Sequence, residues 1–229
     1  MNSYPDWNPV TETMPPASVW NAARFPVGTW GRVLEDLAHP EATLQIARDF
    51  IETFAVRYVP ERTPLSEFPD DRSLIGVGLF VSGPPKIGKT EIACTVLTEI
   101  VLGRRYDGIT VLYVPWPDYI HFFNERHAWR EGRGIEHEDD LESLDASMDR
   151  VMHDSLIVID DIGRERITAS GASYDELYRV LASRRRRGLV TIAVTGVGLP
   201  QMIAAYPEHL VEFLRGFTQL PVTIPRHRS

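Results

Sequence analysis

Cysteine is almost missing from the chain. Cys94 stands alone among 229 residues, which excludes an internal disulfide and any cysteine-rich zinc site. Long apolar runs are missing as well. Nothing approaches the roughly 18 to 20 consecutive apolar residues of a bilayer-crossing helix, so no membrane is expected among the partners. The opening stretch MNSYPDWNPVTETMPP has no basic segment followed by an apolar one. A secretory leader is therefore not expected, and a cytoplasmic location is. The seven histidines show no metal-ligand spacing. A surplus of positive charge is absent too, since the formal net charge is −8. That disfavours broad, non-specific duplex binding but leaves room for a narrow basic groove on an acidic body. What is present is ordinary for a soluble protein: 43% apolar and 24% charged residues, enough for one cored domain with an appendage.

Proline punctuates the beginning. Pro5, Pro9, Pro15 and Pro16 preclude a helix interior or a central strand, so residues 1–18 are expected to form a flexible arm. The remainder, 19–229, is expected to be one domain whose residues 19–73 are a helical lead-in. Residues 40–58 have the helical recurrence Leu44, Ala47, Phe50, Ile51 and Phe54, and Pro60, Pro64 and Pro69 mark a loop. Short apolar runs then predict strands at 74–81, 109–114, 156–159, 190–194 and 218–224. Between them, helical patterns fall at 91–102, 117–129, 139–153, 173–187 and 199–214. Strands alternating with helices imply a parallel sheet covered on both faces. No internal repeat is visible.

The stretch Gly83-Pro84-Pro85-Lys86-Ile87-Gly88-Lys89-Thr90 matches G-x-x-x-x-G-K-[ST]. A loop that wraps a phosphate must turn successive backbone N–H groups inward, and glycines permit those angles. Lys89 brings positive charge to the β- and γ-phosphates of ATP, and Thr90 offers a hydroxyl to Mg²⁺. The helix that starts there adds its positive end. A chance match in a chain this long has a probability of roughly one in a hundred. Here a strand pattern also precedes the loop and a helix pattern follows it. The nucleotide-binding stretch is thus Gly83, Pro84, Pro85, Lys86, Ile87, Gly88, Lys89, Thr90 and Glu91, with Lys86 expected to face solvent.

Leu156-Ile157-Val158-Ile159-Asp160-Asp161 is an apolar strand ending in two carboxylates. Adjacent acids repel each other, and a cation facing them relieves the repulsion. Strand tips in open α/β sheets are also where ligands bind. Asp160 is expected to hold Mg²⁺, largely through water, and Asp161 to polarise the attacking water.

With these residues in view, the phosphate loop, the LIVIDDIG segment at 156–163 and the TIAVTGVGLPQM segment at 191–202 resemble the DnaC/IstB group of AAA+ ATPases. That group contains replicative-helicase loaders and transposition helpers. The resemblance spans roughly residues 20–225 and implies an α/β, P-loop AAA+ three-layer sandwich with a five-stranded parallel sheet. It also implies a ring or spiral homo-oligomer, single-stranded DNA along the inner surface, and a replicative helicase as partner. Such loaders usually carry a separate helicase-binding domain, in whose place this chain offers its arm, with Trp7 and Trp20 as anchors. In the group a polar sensor, usually within Thr-Ser-Asn, ends the fourth strand. The matching residues here are Val194-Thr195-Gly196, so the asparagine position is Gly196 and Thr195 is the nearby hydroxyl. The second acid is Asp161 where glutamate is common in AAA+ enzymes, and slow turnover is expected. Arg215 in FLRGF resembles the group's finger or sensor arginine, and Arg184 in LASRRRRG resembles the arginine before the fourth strand.

Three readings of function follow: a helicase loader, a transposition helper, and a nucleotide-gated binding module with little hydrolysis. Two features stay open. The run Arg184 to Arg187 either complements a helix C-terminus before Gly188 or contacts DNA or a neighbouring subunit. Trp116, Tyr119, Phe122 and Phe123, followed by Arg126, Arg130 and Arg133, either form a core face or stack bases and hold phosphates. The acidic stretch 136–149 is expected to be a solvated face, and Cys94 core packing.

Overall fold

The structure, a computed structural model, describes residues 21–57, 78–103, 110–130, 138–165 and 171–223. The proline-rich arm, the proline loop after residue 58 and Arg133 lie outside these residues. Two short 3₁₀ turns, Val27–Thr29 and Leu34–Asp36, lead into α1 (Glu41–Arg57). There follow β1 (Gly78–Ser82), α2 (Lys89–Gly103), β2 (Val111–Pro115), α3 (Trp116–Arg130), α4 (Glu138–His153) and β3 (Leu156–Ile162). The chain continues through α5 (Ala172–Arg186), β4 (Val190–Thr195), α6 (Leu199–Ala205), α7 (Glu208–Arg215) and β5 (Thr218–Pro221). No helix among the described residues is long and apolar enough to cross a membrane.

All five strands are parallel, in the order β2-β3-β4-β1-β5. The crossover between β1 and β2 therefore spans the sheet, leaving β1 next to β4 and placing the ends of β1, β3 and β4 side by side. Because successive side chains on a strand point to opposite faces, each strand feeds two cores. Leu79, Val81, Leu156, Val158, Ile192 and Val194 pack on one face with α2, α1 and the lead-in. Phe80, Ile157, Ile159 and Ala193 pack on the other with helices α3 to α7.

Helix α2 is buried on nearly every side, with Ile92, Ala93, Cys94, Val96, Leu97 and Ile100 at most 1% exposed. A helix apolar all round needs cover all round, and the sheet on one side with α1 and the lead-in on the other supply it. Cys94 is core packing, and burial pushes its thiol pKa well up. Helix α1 begins where the Pro40 carbonyl accepts from the Thr43 and Leu44 amides, and it buries Leu44, Ala47 and Phe50.

Strand β3 is longer than its apolar run predicts. It continues through both acids to Ile162, which pairs with Thr195, and an extra residue on the β3 side between Ile159 and Ile162 makes a bulge. A bulge re-aims side chains at a strand's end, and this one carries Asp160 and Asp161. Residues 74–77 and 224, which the sequence pattern assigned to β1 and β5, lie outside the described residues.

Gly78 opens β1 against the Phe217 ring, and a Cβ there would come within 2.5 Å of ring carbons. Phe217 is itself buried, so it has little room to give. Gly78→Ala is expected to destabilise the fold by about 1–3 kcal/mol through overpacking. A chemical-denaturation midpoint checks this, and an unchanged midpoint would show that the ring moves aside freely.

Candidate functional site

The phosphate loop joins β1 to α2. Gly83 has φ +150° and its missing Cβ would lie 2.3 Å from the Val222 carbonyl oxygen; Gly88 has φ +82° beside the His39 ring. Neither position accepts a larger residue without strain. Between them Lys86 is exposed and also left-handed, at φ +64°. Lys89 and Thr90 then sit in the first turn of α2, where backbone N–H groups are unpaired and the helix end is positive.

Loop and acids meet. Thr90 Oγ1 donates to Asp160 Oδ2 at 2.6 Å across 70 residues of sequence. Asp160 is 3% exposed, and its other oxygen, Oδ1, accepts from the Asp161 amide at 2.7 Å. Asp161 has φ +60°, a conformation that aspartate tolerates better than most residues. Its half-exposed carboxylate lies 3.4 Å from the Arg164 guanidinium. Lys89 is nearly buried and its Nζ donates to the Pro84 carbonyl at 2.5 Å. Burial lowers its pKa below the ordinary lysine range; Asp160 and Asp161 oppose that shift and Arg164 adds to it.

These groups line one cavity of about 470 Å³, with Lys86, Lys89 and Arg164 facing Glu91, Asp160 and Asp161. Three features in or beside the wall had no signature in the sequence. Gly28 and Thr29 of the lead-in line it. Arg32 holds the Glu91 carboxylate in an ion pair. Tyr113, on β2, donates its hydroxyl to Asp160 Oδ2 at 2.8 Å. Beside the cavity, His39 packs on Gly88; burial lowers its pKa, against the pull of Glu91. Only the Asp161–Arg164 spacing, three residues apart, was visible as a local pattern.

The donor set suits a hard cation shared with a nucleotide. It is all oxygen: the Thr90 hydroxyl and the Asp160 carboxylate. Among the described residues no three His, Cys, Asp or Glu side chains converge on one point. Mg²⁺ is commonly bound this way, by one or two protein oxygens plus substrate phosphates and water.

Two expected site residues are placed differently. Thr195 is fully buried: its hydroxyl donates to the Ile162 carbonyl at 2.8 Å and accepts from the Val197 amide at 3.1 Å. It ties the end of β3 to β4, and Gly196, not Thr195, reaches the cavity. A Cβ at Gly196 would meet no atom within 4 Å, so the sensor position is open space. Arg184 is also fully buried. Its guanidinium donates to Thr191 Oγ1 at 2.9 Å and to the carbonyls of Val151 and Val190 at 2.9 and 2.7 Å. It cements α5 to β4 and α4 at the start of β4, the end of the strand opposite Thr195 and Gly196, and so is not presented to a neighbour. The rest of the run ends α5: the amides of Gly188 and Leu189 bond back to the carbonyls of Arg185 and Arg184, and Arg185 lies over the Phe213 ring. This is the helix-capping alternative. Arg215 remains half-exposed at the end of α7, paired with Glu212.

Trp116 and Tyr119 are buried and stacked on each other with centroids 5.0 Å apart. Tyr119 and the half-buried Phe122 line a separate cavity of about 250 Å³ between β2, α3 and α4. Arg126 is ion-paired with Asp145 of α4. Asp145 and Asp149 are solvated, as the acidic stretch suggested.

Comparison with protein-family models and with curated proteins finds no match to the sequence. Solved structures do match. DnaI superposes with a TM-score of 0.60 at 18% identity, covering 86% of this chain and 94% of that one. The DnaC helicase loader gives 0.54 at 18% identity, over 91% and 100%. The chain shares the α/β P-loop fold of the DnaC helicase loader. The replication initiator DnaA, bound to AMPPCP and single-stranded DNA, shares it as well, with a TM-score of 0.57 at 12% identity over 87% of this chain and about half, 51%, of DnaA. The five-stranded parallel sheet with helices on both faces is therefore established, and the phosphate loop and the paired acids occupy the ends of β1 and β3, the two strands that flank β4.

Proposed function

We propose that this protein is an ATP-dependent loader of a replicative helicase onto single-stranded DNA, assembled as an ATP-bridged oligomer. The observation that carries the nucleotide part is the Thr90–Asp160 hydrogen bond. It brings a phosphate-loop hydroxyl and a third-strand carboxylate to one point, which binding of a metal–triphosphate requires. In this reading Lys89 and the loop amides hold the phosphates, Thr90 and Asp160 hold Mg²⁺, and Asp161 orients water. Mg²⁺ supplies charge neutralisation at the transferring phosphoryl group. Arg215, half-exposed on α7, is the arginine offered to a neighbouring subunit's nucleotide. The partner assignment draws on the fold shared with the DnaC helicase loader over that protein's full length. Its test is co-purification with a replicative helicase and binding to single-stranded DNA, each with and without ATP. Nucleotide-dependent capture of both is the expected result, and capture of a transposase instead would assign the chain to transposition.

A second reading, the nucleotide-gated module with little hydrolysis, is favoured by one observation: the sensor position has no side chain. Gly196→Asn is expected to leave ATP affinity unchanged and to raise phosphate release about tenfold, below the roughly 10²- to 10³-fold effect of a fully preorganised transition-state donor. A rate as low as that of the parent would favour the module.

A further inference from the structure

Both carboxylate oxygens of Asp160 accept from protein donors, and one of these donors comes from outside both sequence motifs. Oδ1 accepts from the Asp161 amide at 2.7 Å. Oδ2 accepts twice, from Thr90 Oγ1 at 2.6 Å and from the Tyr113 hydroxyl at 2.8 Å. Tyr113 lies on β2 two residues before Pro115, the register partner of Asp160; its own partner is Val158, two residues short of Asp160. The hydroxyl thus reaches along the strand direction to the carboxylate. The tyrosine is itself anchored: its amide donates to the Ala23 carbonyl at 2.8 Å, and its ring packs on the core that contains Ala23 and Cys94.

We infer that Tyr113 is a positioning residue for the metal-binding carboxylate, setting the direction of Asp160 and with it the Mg²⁺ requirement of nucleotide binding. The inference rests on the nucleotide-site reading above. Its physical basis is the division of labour on Oδ2. The Thr90 hydroxyl can bind a cation through its oxygen lone pair while still donating its proton to Asp160. Thr90 lines the cavity and Tyr113 does not, so Tyr113 acts by holding the carboxylate. A carboxylate held by two fixed donors loses little rotational freedom when a cation arrives. Partners of this outer kind change metal affinity by roughly 10- to 100-fold when removed.

The experiment is a titration of a fluorescent ATP analogue against the full chain, at a series of Mg²⁺ concentrations and in EDTA. Tyr113→Phe keeps the ring and its packing and deletes the donor. The expected result is an increase of about tenfold in the Mg²⁺ concentration for half-maximal binding, with affinity in EDTA unchanged. A Mg²⁺ curve that coincides with the parent's overturns the inference, as does an equal loss with and without Mg²⁺, which would mark a structural role only. A double-mutant cycle with Asp160→Asn gives a second measurement. The effect of Tyr113→Phe must vanish in that background, and its persistence at full size also overturns the inference. If the parent chain itself binds no nucleotide, it is the site reading that fails, and the inference falls with it.

Discussion

Lys89→Ala is expected to lower ATP affinity by about 100-fold or more while leaving the fold intact. Lys89 Nζ rests on the Pro84 carbonyl inside the cavity that Asp160 and Asp161 also line. Its removal takes away the one nearly buried cation there. A charge-assisted hydrogen bond to phosphate contributes about 1.5–3 kcal/mol, and a 100-fold loss in affinity corresponds to about 2.7 kcal/mol. The amide cradle formed by the loop remains, so the defect belongs to charge, not to loop shape. Isothermal titration with ATP and Mg²⁺ is the check, beside a thermal melt showing that the variant is folded. Tight binding retained by a folded Lys89→Ala protein would refute the assignment of the site.

The second large effect lies at the other end of β4. Arg184→Ala is expected to destabilise the protein by about 3 kcal/mol or more, because it opens a cavity and strips buried acceptors of their donor. The carbonyls of Val151 and Val190 and the Thr191 hydroxyl all take hydrogen bonds from this guanidinium. The contrast with Arg215 makes the prediction discriminating. Arg215 is half-exposed and paired only with Glu212 on its own helix, and Arg215→Ala should shift stability by no more than about 0.5 kcal/mol. Its loss should appear in phosphate release by the assembled oligomer instead. Denaturation midpoints for the two variants separate the roles. A fully stable Arg184→Ala protein lacking activity would restore the reading of that residue as part of the site.

How far the sequence could be read depended on how local the responsible physics was. The phosphate loop was legible because its requirements, glycine angles, one lysine and one hydroxyl, fall within eight consecutive residues. The order of strands and helices was legible from apolar runs and helical recurrence. Arg184 was misread although a signal existed: Leu177, Val180, Leu181 and Arg184 recur at helical spacing, which places the arginine on the buried face of α5. Four consecutive arginines read as a surface run and masked that phase. The length of β3 was misread because its last pairing, Ile162 with Thr195, depends on a bulge against another strand.

By itself, then, the sequence determined that a phosphate loop follows one buried strand and that a pair of acids ends another, since both are patterns of neighbouring residues. Only the tertiary structure decided that these ends flank one strand, β4, that Thr195 turns inward and Gly196 faces the cavity, that the lead-in completes its wall, and that Tyr113 reaches Asp160. The physical reason is sequence distance. Thr90 and Asp160 are 70 positions apart and Tyr113 and Asp160 are 47 apart, and contacts of that kind are set by strand order and register, which no local periodicity encodes.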